Sequence, residues 1–395
     1  MVCKVLLKGI CRFYQRFNCI QKKQMSCFMK KIILPFLGLA VLAGCSKTKD
    51  PMPKGIDAVF VGSSDNKLYA IHSKTGAKLW EFTAKSAVHS SPALGNGLVI
   101  LGSSDENVYT LDIQTGAKVW EFASGMRISS APFYADGTVY AGMGSTSNFT
   151  SKLYALNVVN GSKKWEFSAD GLNVSSCTVV NGKVYVGGFT NLYALDAQTG
   201  KKQWEFVTGT GVDSSPAVAD GMVYIGSNDF NVYAVDALTG TKKWQFATGG
   251  EVSSSPTVAN GTVYVGSFDR KLYALDAKTG TKQWELRTDG PLLSSPVVSK
   301  GIVYIGSNDN KLYAVDAKTG AKKWEFWTSN RIQSSPVASD SLVYVGSLDN
   351  KLYAVDIQSG AKKWDFQTGG SIYSSPVILN AKGTVYSAGV SGAQQ

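Results

Sequence analysis

Ser254-Ser255-Pro256-Thr257-Val258, Asn260-Gly261, Thr262-Val263-Tyr264-Val265-Gly266, Lys271-Leu272-Tyr273-Ala274-Leu275-Asp276, Thr279-Gly280 and Lys282-Gln283-Trp284-Glu285-Leu286 follow one another within residues 254–286. They read as four short strands separated by turn residues. Asn-Gly tolerates positive φ at both central positions and makes a two-residue hairpin, and Thr-Gly offers a similar left-handed position before the last strand. Glycine at this spacing, with β-branched and aromatic runs between, excludes a helical repeat.

The same grammar recurs along the chain. Tryptophans at 80, 120, 165, 204, 244, 284, 324 and 364 mark eight copies of a unit of about 40 residues, a period typical of an array or propeller. Runs such as Ile302-Val303-Tyr304-Ile305 and Leu342-Val343-Tyr344-Val345 are nearly continuous in apolar residues, where a half-solvated sheet would alternate. Both faces of these strands must therefore be buried, as when blades pack face to face around an axis. The first copy begins at its second strand, Ala58 to Gly62, and the chain's end supplies a surplus first strand, Ser374-Ser375-Pro376-Val377-Ile378. The late strand can complete the early blade. The expectation is an all-β, eight-bladed β-propeller of four-stranded antiparallel blades over residues 57–389, with residues 390–395 as a tail. Thr384-Val385-Tyr386 has no place in this scheme.

The formal charge of +11 is unevenly placed. Residues 1–31 hold eight Lys/Arg and no acid, so from Cys45 onward 32 Lys/Arg face 29 Asp/Glu, a net of +3. Nucleic-acid binding needs clustered cations, and these lysines recur evenly, so that class is set aside. Five of the six cysteines precede residue 46 and only Cys177 lies in the repeats, which leaves the folded body no disulfide framework. In blade four Cys177 stands where other copies have proline and is read as a small buried apolar residue.

From Met29 the chain runs Lys30-Lys31, an apolar stretch Ile32 to Leu42, then Leu42-Ala43-Gly44-Cys45. A charged start, a short apolar run and small residues before a cut form an export signal, too short for a membrane span. The last four residues resemble the bacterial lipobox, which implies that Cys45 becomes the lipid-modified, palmitate-bearing N-terminus. Residues 1–28 then read as an upstream extension or misassigned start, 29–44 as the lipoprotein signal peptide and 45–56 as a tether. Ser46 after the lipidated cysteine, in place of the aspartate associated with inner-membrane retention, points by the same resemblance to the periplasmic side of the outer membrane; surface display is the alternative.

Ala274-Leu275-Asp276-Ala277-Lys278-Thr279-Gly280-Thr281-Lys282-Gln283-Trp284 resembles the tryptophan-docking repeat of pyrroloquinoline-quinone (PQQ)-type propellers, and the resemblance spans about residues 57–380. Two groups share this repeat: quinone-dependent dehydrogenases, and non-enzymatic lipoproteins similar to BamB, the accessory subunit of the outer-membrane β-barrel assembly machine. The dehydrogenases carry an adjacent-cysteine disulfide and a calcium-bound cofactor, and a chain whose only cysteine after Cys45 is Cys177 cannot form the first. The resemblance thus favours a monomeric scaffold binding envelope proteins, with the assembly machine as the partner it implies and no cofactor or catalytic residue. A PQQ-binding oxidoreductase or sensor using calcium is the alternative, and a surface carbohydrate or adhesion module is a third.

Each repeated group has a structural reading. Trp80, Trp120, Trp165, Trp204, Trp244, Trp284, Trp324 and Trp364 are apolar wedges between blades, since eight equivalent positions cannot face one ligand. Gly-Ser-x-Asp, as in Gly306-Ser307-Asn308-Asp309, lacks the dense oxygen ligands of a calcium loop and reads as a hairpin turn.

A partner or substrate would need positions that break the ring's symmetry. Three residues before the Ser-Ser-Pro proline lie His89, Ser129, Val174, Asp213, Ser253, Leu293, Gln333 and Tyr373; five before it lie Ala87, Arg127, Leu172, Gly211, Glu251, Pro291, Arg331 and Ser371. The intervening position is apolar in all copies but one, so strand alternation places the variable pair on the opposite side. In propellers of this kind the first strand lines the central channel, which makes His89, Arg127, Asp213, Glu251, Arg331, Gln333 and Tyr373 candidates for partner contact at its mouth. His72 and His89 are the only histidines and fall in different units, so no His-pair or metal site is expected. Blade three carries an expansion, Met143-Gly144-Ser145-Thr146-Ser147-Asn148-Phe149-Thr150-Ser151, read as a tolerated loop insertion or, alternatively, as a loop on which Phe149 could dock a partner.

Overall fold

The computed structural model describes residues 52–145, 150–171 and 175–388, all within one compact unit, Lys49–Gln395. Cys45, the signal segment 29–44, Phe149, Leu172, Val174 and the tail 390–395 lie outside the described residues. Eight antiparallel sheets form the blades of a closed ring. In blade 6 the strands are Thr257–Ala259, Thr262–Gly266, Lys271–Asp276 and Lys282–Arg287, paired in that order from the axis outward.

Local chemistry makes these strands as expected. Asn260 and Gly261 hold φ of 51° and 74°, the left-handed pair of a hairpin turn. At the third-to-outer turn, Asp276 Oδ1 accepts hydrogen bonds from the amides of Lys278 and Thr279 and from the Thr279 hydroxyl, at 2.8–3.0 Å. A bulge between Ala274 and Leu275 then offsets the outer strand, so that Ala274 faces Trp284.

The core lies between blades. Tyr264, Leu272 and Ala274 of blade 6 pack with Val303, Ile305 and Tyr313 of blade 7, and an equivalent cluster joins Tyr344 and Leu352 of blade 8 to Val59 and Tyr69 of blade 1. Second strands such as Val263–Val265 and Val303–Ile305 are buried on both faces. The tryptophans wedge these seams: seven of the eight indole N–H groups donate to a carbonyl of the following blade at 2.8–3.3 Å, from Trp80 to Ile113 through Trp284 to Ala317 and Trp364 to Ser73. Each ring also lies against the turn glycine of that blade, where a Cβ on Gly280 would come within 2.6 Å of Trp244. Trp324 is the exception: its N–H is buried without a partner. The equivalent carbonyl, that of Ile357, accepts the Tyr304 hydroxyl at 3.0 Å, whereas the Ala277, Ala317 and Ser73 carbonyls each accept both the tyrosine hydroxyl and the indole N–H of their seam.

Closure follows the expected scheme with one addition. Val377–Leu379 pairs antiparallel with Ala58–Gly62, Phe60 facing Val377, and so completes blade 1 from the other end of the chain. The unassigned Thr384-Val385-Tyr386 segment provides a further strand, Val385–Ser387, on the inner side of Val377–Leu379, so blade 1 has five strands and not four. The expansion in blade 3 also differs from a simple loop. Thr138–Ser145 and Thr150–Asn157 are eight residues each and pair along their length, so most of the inserted residues lengthen a hairpin.

Candidate functional site

The inner strands enclose an axial cavity of about 280 Å³, lined by the Ser-Ser-Pro segments of the blades, Cys177, and Val385, Ser387 and Ala388 of the added strand. Its wall is a hydrogen-bonded girdle. The amide of the second serine donates to the hydroxyl of its counterpart one blade on, from Ser215 to Ser255, Ser255 to Ser295, Ser295 to Ser335, Ser335 to Ser375 and Ser375 to Ser91, at 2.8–3.0 Å. Ala131 replaces serine in blade 3 and donates to Ser176 but offers Ser91 no hydroxyl. The first serine of each pair turns outward; Ser254 Oγ, for example, accepts the buried Gly266 amide at 3.1 Å. Cys177 is buried, and desolvation pushes its thiol up to about 12, which keeps it protonated and unreactive.

One rim of the ring carries the outer-to-first connections and the Gly-Ser-x-Asp turns together, because both lie at the same end of the antiparallel strands. The turn aspartates lock the two. Asp269 Oδ2 accepts the Tyr273 hydroxyl at 2.6 Å and the Gly249 amide at 2.8 Å, while its Oδ1 accepts the Lys271 amide. The aspartates at 65, 105, 229, 309 and 349 make the same set, so these carboxylates act as turn clasps, as the sequence reading held. The turns of blades 3 and 4 have no aspartate.

The alternation expected before Ser-Ser-Pro is present. Val88, Ile128, Val212, Val252, Leu292, Ile332 and Ile372 are buried, and on either side of them Arg127, Asp213, Glu251, Arg331 and Tyr373 are exposed while His89 and Gln333 are half-buried. These residues do not converge on one point. His89 meets Tyr373 edge to face, with ring centroids 5.0 Å apart, and its Nε2 lies 2.9 Å from Ser64 Oγ. Burial lowers the His89 pKa, so the imidazole is neutral at pH 7. Asp213 Oδ2 accepts from Asn228 Nδ2 at 2.7 Å, whose Oδ1 accepts the Ser253 hydroxyl at 3.2 Å. Gln333 donates to Asn308 at 3.3 Å. His89 and Asp213 are thus engaged locally, three blades apart, and form no acid–base pair. Arg127, Glu251 and Arg331 have no ion pair among the described residues, and each uses its backbone to hold the rim: Arg127 and Glu251 accept from Gly144 and Phe268, and the Arg331 amide donates to Asn330 Oδ1.

Ser64, Asn228 and Asn308 were not singled out from sequence. All three are the variable residue of Gly-Ser-x-Asp, and each meets the residue three before the proline in the next blade. The signal was in the repeat, in two variable positions separated by 25 residues. Among the described residues no group of three or more His, Cys, Asp or Glu is placed to hold a metal ion.

Known proteins share this architecture. Crystal structures it resembles include BamB from Moraxella catarrhalis (21% identity, TM-score 0.63, covering 76% of this chain and 96% of that one) and the computationally designed Ika8 protein (17%, 0.64, 80% and 98%). The quinohemoprotein alcohol dehydrogenase from Comamonas testosteroni is similar as well (15%, 0.63, 88% and 76%). At these identities the likeness is one of fold, and the fold serves both kinds of protein. No curated protein matches the chain in sequence. The family described as outer membrane protein assembly factor BamB matches over residues 46–176, 172–253, 190–294 and 231–393, nearly the whole propeller, and the chain belongs to that family.

Proposed function

We propose that this protein is a lipid-anchored scaffold at the periplasmic side of the outer membrane, held by Cys45, which binds other envelope proteins as a BamB-type component of β-barrel assembly. The observation that carries the reading is the alternation on one rim. A buried apolar residue in each described copy fixes the backbone while its flanking residues differ from blade to blade, which is how a symmetric ring presents an asymmetric surface. Arg127, Glu251 and Arg331 then offer charge to a partner, and Tyr373 offers an aromatic anchor.

The quinone alternative fits the donor set poorly. PQQ is a tricarboxylate that the dehydrogenases hold with calcium, and the axial cavity here presents serine hydroxyls, proline rings and small aliphatic groups, with the Val385–Ser387 strand on its wall. Those residues supply neither a cation for the carboxylates nor a carboxylate cluster for calcium.

Crosslinking and purification from membranes, comparing the native protein with a variant carrying Arg127→Glu and Arg331→Glu, tests the reading. Recovery of the β-barrel assembly machine with the native chain and its loss with the folded variant is the expected result. Equal recovery with both moves the interface off this rim, and failure with both overturns the assembly role.

A further inference from the structure

Of the nine tryptophans, Trp327 alone falls outside the docking period. It ends the outer strand of blade 7, Lys322–Trp327, where other blades have Thr83, Val207, Ala247, Arg287 or Gln367. Lys311 lies directly across the strand pair, with Nζ 4.2 Å from the centroid of the indole. The Lys311 side chain is itself nearly enclosed, with Asp289 at 3.2 Å and Glu325 at 3.8 Å. A fixed ammonium therefore backs one side of the ring. The remainder faces solvent, leaving Trp327 60% exposed. Asp289 is held beside it, since its amide donates to Asp309 Oδ2 at 3.0 Å while its carboxylate is 80% exposed.

We propose that Trp327 and Asp289 form a glycan-binding platform for a β-linked pyranose chain. Such sugars present a face of axial C–H groups that stacks on an indole, and a ring of hydroxyls that donate to a neighbouring carboxylate. A rigid aromatic surface with one or two placed polar groups is the general form of a small-ligand site. A protein partner would need more. Binding hot spots sit among further contacts that exclude water, and Trp327 is the sole exposed large hydrophobic residue in blades 6 to 8 among the described residues. The charged groups around it are Lys311, Asp289 and Glu325, which suits a hydroxyl-rich ligand. The proposal is independent of the assembly role, because neither Trp327 nor Asp289 is among the residues assigned there to partner contact, although Asp289 lies in an outer-to-first connection of the same rim.

The test is an NMR titration of the ¹⁵N-labelled indole N–H groups with chitotetraose, with maltotetraose as the α-linked comparison. Saturable movement of the Trp327 resonance alone, with the docked indoles unmoved and little response to maltotetraose, is the expected result. Trp327→Ala should weaken binding at least roughly tenfold, and Asp289→Asn roughly threefold to tenfold, in proteins with unchanged thermal melting. No movement at tens of millimolar sugar, or binding that survives Trp327→Ala, overturns the proposal. So does a photocrosslinker at position 327 that captures a protein while chitotetraose has no effect.

Discussion

The indole N–H of Trp364 donates to the carbonyl of Ser73 at 2.9 Å, across 291 residues of sequence, and so fastens the last blade to the first. Trp324 occupies the same place one blade earlier with its N–H buried and unpaired. The two positions separate the wedge's packing from its hydrogen bond. Trp364→Phe loses both ring volume and the bond, whereas Trp324→Phe loses ring volume and relieves an unsatisfied donor. The former should destabilise more, by about 1–3 kcal/mol. Urea unfolding of the two variants checks this, and equal midpoints would show that the N–H contributes nothing at the closing seam.

Two glycines test what the docked indole requires. Gly280 and Gly261 both have φ near 74°, but only Gly280 would place a Cβ against Trp244; Gly261 has open space around it. Gly261→Ala should cost about 1–2 kcal/mol from the left-handed backbone alone. Gly280→Ala adds a clash and should cost about 2–4 kcal/mol. Thermal melting distinguishes them, and similar losses would mean that the tryptophan yields easily.

The C-terminal strands divide into a necessary and an accessory one. Ending the chain after Asn380 removes Val385–Ser387 but keeps the pairing of Val377–Leu379 with Ala58–Gly62, and should leave a folded monomer with a lowered melting temperature. Ending it after Gly370 strips blade 1 of its inner strand and exposes the Ala58–Gly62 edge, which should give oligomers. Size-exclusion chromatography reads both, and a monomeric short form would remove the closing role from the late strand.

Acid should loosen the seam at His89. Its folded pKa lies below the ordinary value of 6.5 because of burial, so the unfolded chain binds the proton first. This destabilisation is absent above pH 7, develops as pH falls below about 6.5 and levels off once the folded imidazole is itself protonated. Lower still, carboxylates depressed in the fold add to it: Asp236, held first by the Thr239 amide, and Asp316, held first by Lys323, both lie at about 2, so their contribution is present above about pH 4 and is lost as pH falls towards 2. His89→Gln should flatten the upper part of the stability profile and leave the acid limb. An unchanged slope between pH 7 and 5 would exclude His89 as its source.

Much of the fold was determined by sequence alone, because its elements are local. Asn260-Gly261 dictates a hairpin through backbone geometry, Asp276 and Thr279 cap the turn two and three residues away, and the spacing of Trp80 to Trp364 counts the blades. The alternation around Val252 was legible for the same reason, since neighbours on a strand take opposite sides. What only the tertiary structure decided depends on the curvature of the ring. It pairs Ser64 with His89 and Asn308 with Gln333, runs the serine girdle from Ser215 through Ser375 to Ser91, gives Val385–Ser387 an inner edge to join, and leaves the Trp324 N–H without an acceptor. Those contacts join side chains 25, 40 or nearly 300 residues apart, and a repeat states only that such positions exist, not which hydroxyl or carbonyl the neighbouring blade will turn towards them.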